Sequence, residues 1–257
     1  MGGLAAAQQT GPAQDTDRQT KFPQLRVAGT LLEGRPENQS AFIVKQCEKV
    51  FDDATWRIGQ ANPELLKLMS RPGLQIVITD DIHGRLERQF GERNDPNEPI
   101  AAATKTTVDP ATGKATGTTI FISEELFRGV DPGSDKGAHR PYSAAVARVI
   151  TALDHELQHC ARPDDPPVGF AVPTPARTPA ERAKHETQEE IAVYTASIRD
   201  LEKIQETIRP KTGNEQFTMA DYYKEFSGVL EGQRRQLARY EKELSEAKFG
   251  GLTVPAR

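Results

Sequence analysis

The chain has 257 residues, 36% of them apolar, enough to bury a core in one sizeable domain, and no run approaches the 18 apolar residues that an ordinary membrane-spanning helix needs. A net charge of −4 supplies no basic field of the kind that draws a protein onto nucleic acid or anionic lipid, so neither is expected as a partner. The two cysteines, Cys47 and Cys160, fall in stretches of helical periodicity and suit buried free thiols in a reducing compartment better than a disulfide framework.

Residues 1–37 are rich in Gly, Pro, Gln and Thr and lack both the charged start and the apolar centre of a Sec signal. The expectation is a flexible leader, with a short strand at 25–28 its only fixed structure, on a soluble protein that is either cytoplasmic or exported by a non-Sec route. The leader is similar to the export leaders of bacterial type III effectors, and equally to plain disordered tails. The folded domain is expected to span 38–257. From Ser40 onward Phe42, Ile43, Cys47, Val50, Phe51, Ala54 and Ile58 recur at helical spacing. Asn62-Pro63-Glu64 starts a short second helix, which Arg71-Pro72-Gly73 ends.

The run 74–79, Leu-Gln-Ile-Val-Ile-Thr, is short, rich in β-branched residues and bounded by turn residues, which predicts a central strand. Asp109-Pro110-Ala111-Thr112-Gly113, flanked by Thr-rich segments, predicts a hairpin leading into a second strand over 118–123. A long helix is predicted from near Tyr142, with Val146, Val149, Ile150, Leu153, Leu157 and Cys160 as its apolar stripe. The proline-rich stretch 161–177 reads either as a lid over a cleft or as a rigid connector. Thr178-Pro179-Ala180-Glu181 has the form of a capping box, and Ile191, Tyr194, Ile198, Leu201, Ile204 and Ile208 continue the helix it opens. A last helix runs from about Met219 to Lys248, and the two pair antiparallel as a C-terminal hairpin over about 180–248.

The chemistry lies in His155-Glu156-Leu157-Gln158-His159. On a helix, imidazoles at i and i+4 share one face and can share one tetrahedral ion, while Glu156, turned about 100° from the first, can still reach a water on that metal. Two histidines and a glutamate on a core helix are costly without partners, and a metal supplies one. Zinc takes a third protein ligand and leaves a fourth position for water. The residues after His159 lack the glycine and third histidine of the extended metzincin motif, so the third ligand is sought in the acidic cluster His185-Glu186-Thr187-Gln188-Glu189-Glu190.

With that motif and a downstream acidic helix, the chain resembles a gluzincin, the zincin subgroup whose third ligand is a glutamate on a later helix. The resemblance covers roughly residues 74–205. It implies Zn2+ held by His155, His159 and Glu190, the glutamate followed by Val193 and Tyr194. Glu189, with Ala192 three residues on, is the close competitor, and His185 the next. It further implies a metallopeptidase that hydrolyses peptide bonds with Glu156 as general base and then proton shuttle, and a strand at 118–123 serving as the edge that holds an extended substrate. The expected fold is α+β and zincin-like, a small sheet packed on the active-site helix and followed by the helical hairpin. Tyr194, Tyr142 and His139 are candidate oxyanion donors, each also readable as a core or loop residue, and Asp154 either orients an imidazole or sits in solvent. The expected partner is a protein or peptide substrate, with a secreted effector that cleaves one host protein as the narrower form. The rival is a helical interaction module with a structural or vestigial metal site, against which the intact Glu156 argues.

Overall fold

Apolar residues alternate sides along two internal strands, and this alternation fixes the layers. The computed structural model describes residues 17–92, 95, 99–127, 139–162, 169, 178–208 and 217–246. The sheet has five strands, β1 (Arg18–Gln19), β2 (Leu25–Val27), β3 (Leu74–Thr79), β4 (Ala102–Val108) and β5 (Ala115–Ser123), in the order β1-β2-β3-β5-β4. β2, β3 and β5 are parallel, while β1 and β4 run antiparallel to their neighbours. Ile76, Ile78, Ile120 and Ile122 face the main core, and Val77 and Phe121 face a smaller one on the opposite side, as the two-residue period of strands requires. With seven helices among the described residues, the chain is of the α+β class with a mixed sheet.

Two expectations are corrected here. The fold begins before Asn38: β1, β2 and the turn of helix α1 (Gly29–Leu32) belong to it, Leu25, Val27 and Leu31 are buried, and Asp17 pairs at 2.8 Å with the buried Arg85. Residues 1–16 lie outside the described residues. The second correction concerns the edge. The strand 118–123 is flanked by β3 and β4, so its backbone is used on both sides, and among the described residues the open edge on that side of the sheet belongs to β4. β4 exists because the turn after it is well specified. The Asp109 carboxylate accepts from Ala111 N–H (2.9 Å) and Thr112 Oγ1 (2.7 Å), and Gly113 takes the positive φ (66°) that closes the hairpin.

Helices α2 (Glu37–Ala61) and α3 (Pro63–Leu68), with α5 (His139–Cys160), α6 (Pro179–Ile208) and α7 (Phe217–Glu246), build the main core. Helix α4 (Ile82–Phe90), not anticipated from the sequence, covers the other face of the sheet with Ile82, Leu86 and Phe90. Its N-cap is Asp81, which accepts from Gly84 N–H at 2.8 Å, and it ends on Gly91 in the left-handed conformation (φ 71°).

α5 lies at the centre, against α2, α6, α7 and β4. Val146, Val149, Ile150, Leu153 and Leu157 are fully buried, and a helix apolar around most of its circumference has to sit inside. Arg71 holds its C-terminal end, donating from Nη1 to Cys160 O (3.2 Å) and from Nη2 to Thr118 Oγ1 (3.1 Å). α6 opens with the reciprocal cap its sequence predicts: Thr178 N–H donates to Glu181 Oε2 (2.8 Å) and Glu181 N–H to Thr178 Oγ1 (3.3 Å). It meets α5 through buried polar pairs, Ser197 Oγ donating to Asp154 Oδ1 (2.7 Å) and Gln158 Nε2 to Asp200 Oδ2 (2.9 Å), with Asn62 Nδ2 also donating to Asp200 (2.6 Å). No helix among the described residues is long and apolar enough to cross a membrane.

Candidate metal centre

The four-residue spacing of His155 and His159 puts both rings on the face of α5 that looks across to α6, and each ring is only partly buried. Their Nε2 atoms stand 3.3 Å apart. From α6, Glu190 brings one carboxylate oxygen to 3.5 Å from His155 Nε2 and the other to 3.5 Å from His159 Nε2. A tetrahedral ion with bonds of about 2.0–2.1 Å has edges of about 3.3–3.4 Å, so the two nitrogens stand about one such edge apart, and one ligand atom from each of the three residues lies within 4.8 Å of the others. His155, His159 and Glu190 form the sole group of potential ligands of this kind among the described residues. The donor set, two imidazole nitrogens and a carboxylate, suits zinc.

Glu189, the competitor for the third position, is brought to a different atom. Its Oε1 lies 3.0 Å from His159 Nδ1, on the far side of the ring, and 3.5 Å from Arg162 Nε. Held this way, His159 keeps the proton on Nδ1 and leaves Nε2 as the donor toward the centre. Burial alone would lower the pKa of His159, but the bond to Glu189 and the charges of Glu156, Glu190 and Glu189 outweigh it and raise the pKa above its ordinary value. His155 is held differently: its ring packs 4.5 Å from that of Tyr194, centroid to centroid, and its buried Nδ1 has no hydrogen-bond partner. Tyr194 packs in turn on Tyr240 of α7 at 5.6 Å, and burial with the nearby Glu190 charge raises its pKa. His185 is outside the ligand group.

Glu156 is 6% exposed and lines a cleft beside the two rings. Thr104 Oγ1, from β4, donates to its Oε2 at 2.6 Å. The cleft runs between the segment from Pro99 to Thr106, which leads into β4 and includes its first five residues, and the wall formed by α6 and α7, where Glu186, Glu190, Tyr194, Gln233 and Tyr240 face it.

Other expected site residues lie elsewhere. Tyr142 donates to Asp53 on α2 and stands thirteen residues along α5 from His155, about 20 Å at helical rise, so it is removed from the centre. The side chain of His139 and most of the stretch 161–177, the expected lid or connector, fall outside the described residues. Asp154 neither orients an imidazole nor meets solvent. It is fully buried with Oδ2 unpartnered, and burial pushes its pKa up to about 7 against the opposing bond from Ser197. Thr104 and the α7 residues of the cleft were not legible in the sequence, because their places depend on β4 and α7 meeting across α5. Compared with known families, curated proteins and solved structures, the chain matches none.

Proposed function

We propose that the chain is a zinc-dependent metallopeptidase of the gluzincin kind, with His155, His159 and Glu190 as ligands and Glu156 as general base. One observation carries the reading: the two Nε2 atoms on α5 stand 3.3 Å apart and each meets a different oxygen of the Glu190 carboxylate from α6 at 3.5 Å, while Glu156, one residue from the first ligand, is held aside by Thr104 and faces the same cleft. A structural site has no use for that additional carboxylate. When bound, zinc supplies Lewis-acid polarisation of a water and of the substrate carbonyl. Glu156 accepts the proton of the attacking water and delivers it to the leaving amine, a role that requires a carboxylate within one hydrogen bond of the reacting atoms. An extended peptide fits the cleft as an added strand on the open edge of β4, bound through main-chain hydrogen bonds. Tyr194, whose ring lies on His155, lines the cleft and is the candidate donor to the developing oxyanion.

Elemental analysis combined with a fluorogenic peptide library tests the reading. Wild type is expected to carry one zinc per chain and to cleave. His155→Ala is expected to lose the metal, and Glu156→Gln to keep it while hydrolysis drops about 10²–10⁴-fold, the usual weight of a general base. A Glu156→Gln variant with full activity overturns the mechanism, and a wild type that takes up no zinc on reconstitution overturns the site.

A further inference from the structure

The hydrogen bond between Thr104 and Glu156 joins two parts of the molecule that a peptidase has to keep in register. Ser123 N–H donates to Ala101 O at 2.9 Å, which makes 101 and 123 a hydrogen-bonded pair of the antiparallel β4–β5 ladder. The pairs at 103 with 121 and 105 with 119 repeat it at the two-residue period. Ala102, Thr104 and Thr106 are then the non-bonded partners, whose N–H and C=O groups point away from β5 to the open edge. The side chain of Thr104 stands on the sheet face toward α5 and meets the carboxylate at 2.6 Å, near the carbonyl of the same residue at 3.4 Å. Thr104 is the sole protein donor to the Glu156 carboxylate among the described residues.

We propose that Thr104 is the positioning residue of the general base, fixing Glu156 to the strand on which the substrate lies. The proposal rests on the peptidase reading above. A peptide bonded to the N–H and C=O of Thr104 is located relative to the carboxylate by a single residue, so sliding of α5 against the sheet is not transmitted to the distance between base and scissile bond. One carboxylate oxygen is anchored, and Oε1 is the oxygen left for the proton. Without the hydroxyl, Oε2 stays buried with no donor and the side chain swings on its own torsions.

Thr104→Val keeps the β-branched shape and strand preference while removing the hydroxyl, and Thr104→Ser keeps the hydroxyl alone. With the best-cleaved member of a fluorogenic peptide library, Thr104→Val is expected to lower kcat roughly tenfold to a hundredfold, the scale of misplacing a reacting group by about 1 Å, with KM and zinc content unchanged. Thr104→Ser is expected to restore most of kcat. An unchanged kcat in Thr104→Val, or a loss that the serine variant shares, overturns the proposal. An activity-free measurement separates its failure from that of the peptidase reading. In the zinc-free protein, unfolding of Thr104→Val, Glu156→Met and the pair is expected to be non-additive, the double substitution costing less than the sum, because an abandoned carboxylate is no longer present to be left unsatisfied. Additive effects overturn the anchoring itself. Coupled effects in a wild type that binds zinc but cleaves no peptide overturn the peptidase reading and leave Thr104 as an anchor of a buried carboxylate alone.

Discussion

The two histidines of the centre come from one helix face, one turn apart, and meet at one point, yet their surroundings differ. His159 is tied through Nδ1 to a carboxylate that is itself held by Arg162, whereas His155 rests against an aromatic ring with its Nδ1 unpartnered. The first imidazole is oriented by charge and a directed bond, the second by shape. A ring fixed by packing keeps its position when nearby charges change, and a ring fixed by a carboxylate does not.

The contrast can be broken by substitution. Glu189→Gln removes the charge behind His159 and is expected to weaken zinc about 10–100-fold, the common effect of losing the outer partner of a ligating histidine. Tyr194→Phe, which retains the ring against His155, is expected to leave affinity within about threefold of wild type by the same measure. Competition with a chromophoric chelator distinguishes them, and equal losses would mean that the two rings are held alike.

A smaller effect sharpens the comparison through pH. At the proposed zinc site, the raised pKa of His159 would let a proton compete with the metal at a higher pH than at an ordinary histidine. Apparent zinc affinity is therefore expected to be level at high pH and to fall, by about tenfold per pH unit, once pH drops through that raised value. Glu189→Gln shifts the bend to lower pH, visible in chelator titrations from about pH 5 to 8.

The smallest effect concerns Asp154 and stability alone. Its folded pKa of about 7 exceeds the unfolded value, so the folded chain binds the extra proton between roughly pH 4 and 7. The contribution is fully present below that window and is lost as pH rises through it. Asp154→Asn, neutral at every pH, is expected to raise the melting temperature of the zinc-free protein at about pH 8 by a few degrees, as about 1 kcal/mol does for a chain of this size, and to leave it nearly unchanged at about pH 4.

Elements with strong local signals were legible in the sequence: α5 from its apolar stripe, α6 from Thr178 and Glu181, the hairpin from Asp109 to Gly113, β3 from its β-branched run. α4 was missed because nine residues with Gly84 among them give only Ile82, Leu86 and Phe90 at helical spacing. β2 was legible as a short strand at 25–28, but its place in the sheet between β1 and β3 was not, since partners distant in the chain set it. The two histidines and Glu156 follow from their spacing, since a helix fixes the geometry of i and i+4. Glu189 and Glu190 are about 100° apart on α6, and which one turns to the centre depends on how α6 rolls on α5. Packing sets that roll, and a single sequence does not encode it locally.

The polar pairs between α5 and α6 also act against arrangements the molecule does not adopt. A shift of α6 by one turn in either direction would replace Ser197 opposite Asp154 with Val193 or Leu201, and Asp200 opposite Gln158 with Ala196 or Ile204. Such a slip would keep apolar contacts broadly comparable, but it would strand buried carboxylates against hydrocarbon, a far larger cost than the lost hydrogen bonds alone. The height at which Glu190 arrives is therefore guarded less by what attracts the helices than by what the neighbouring registers would leave unsolvated.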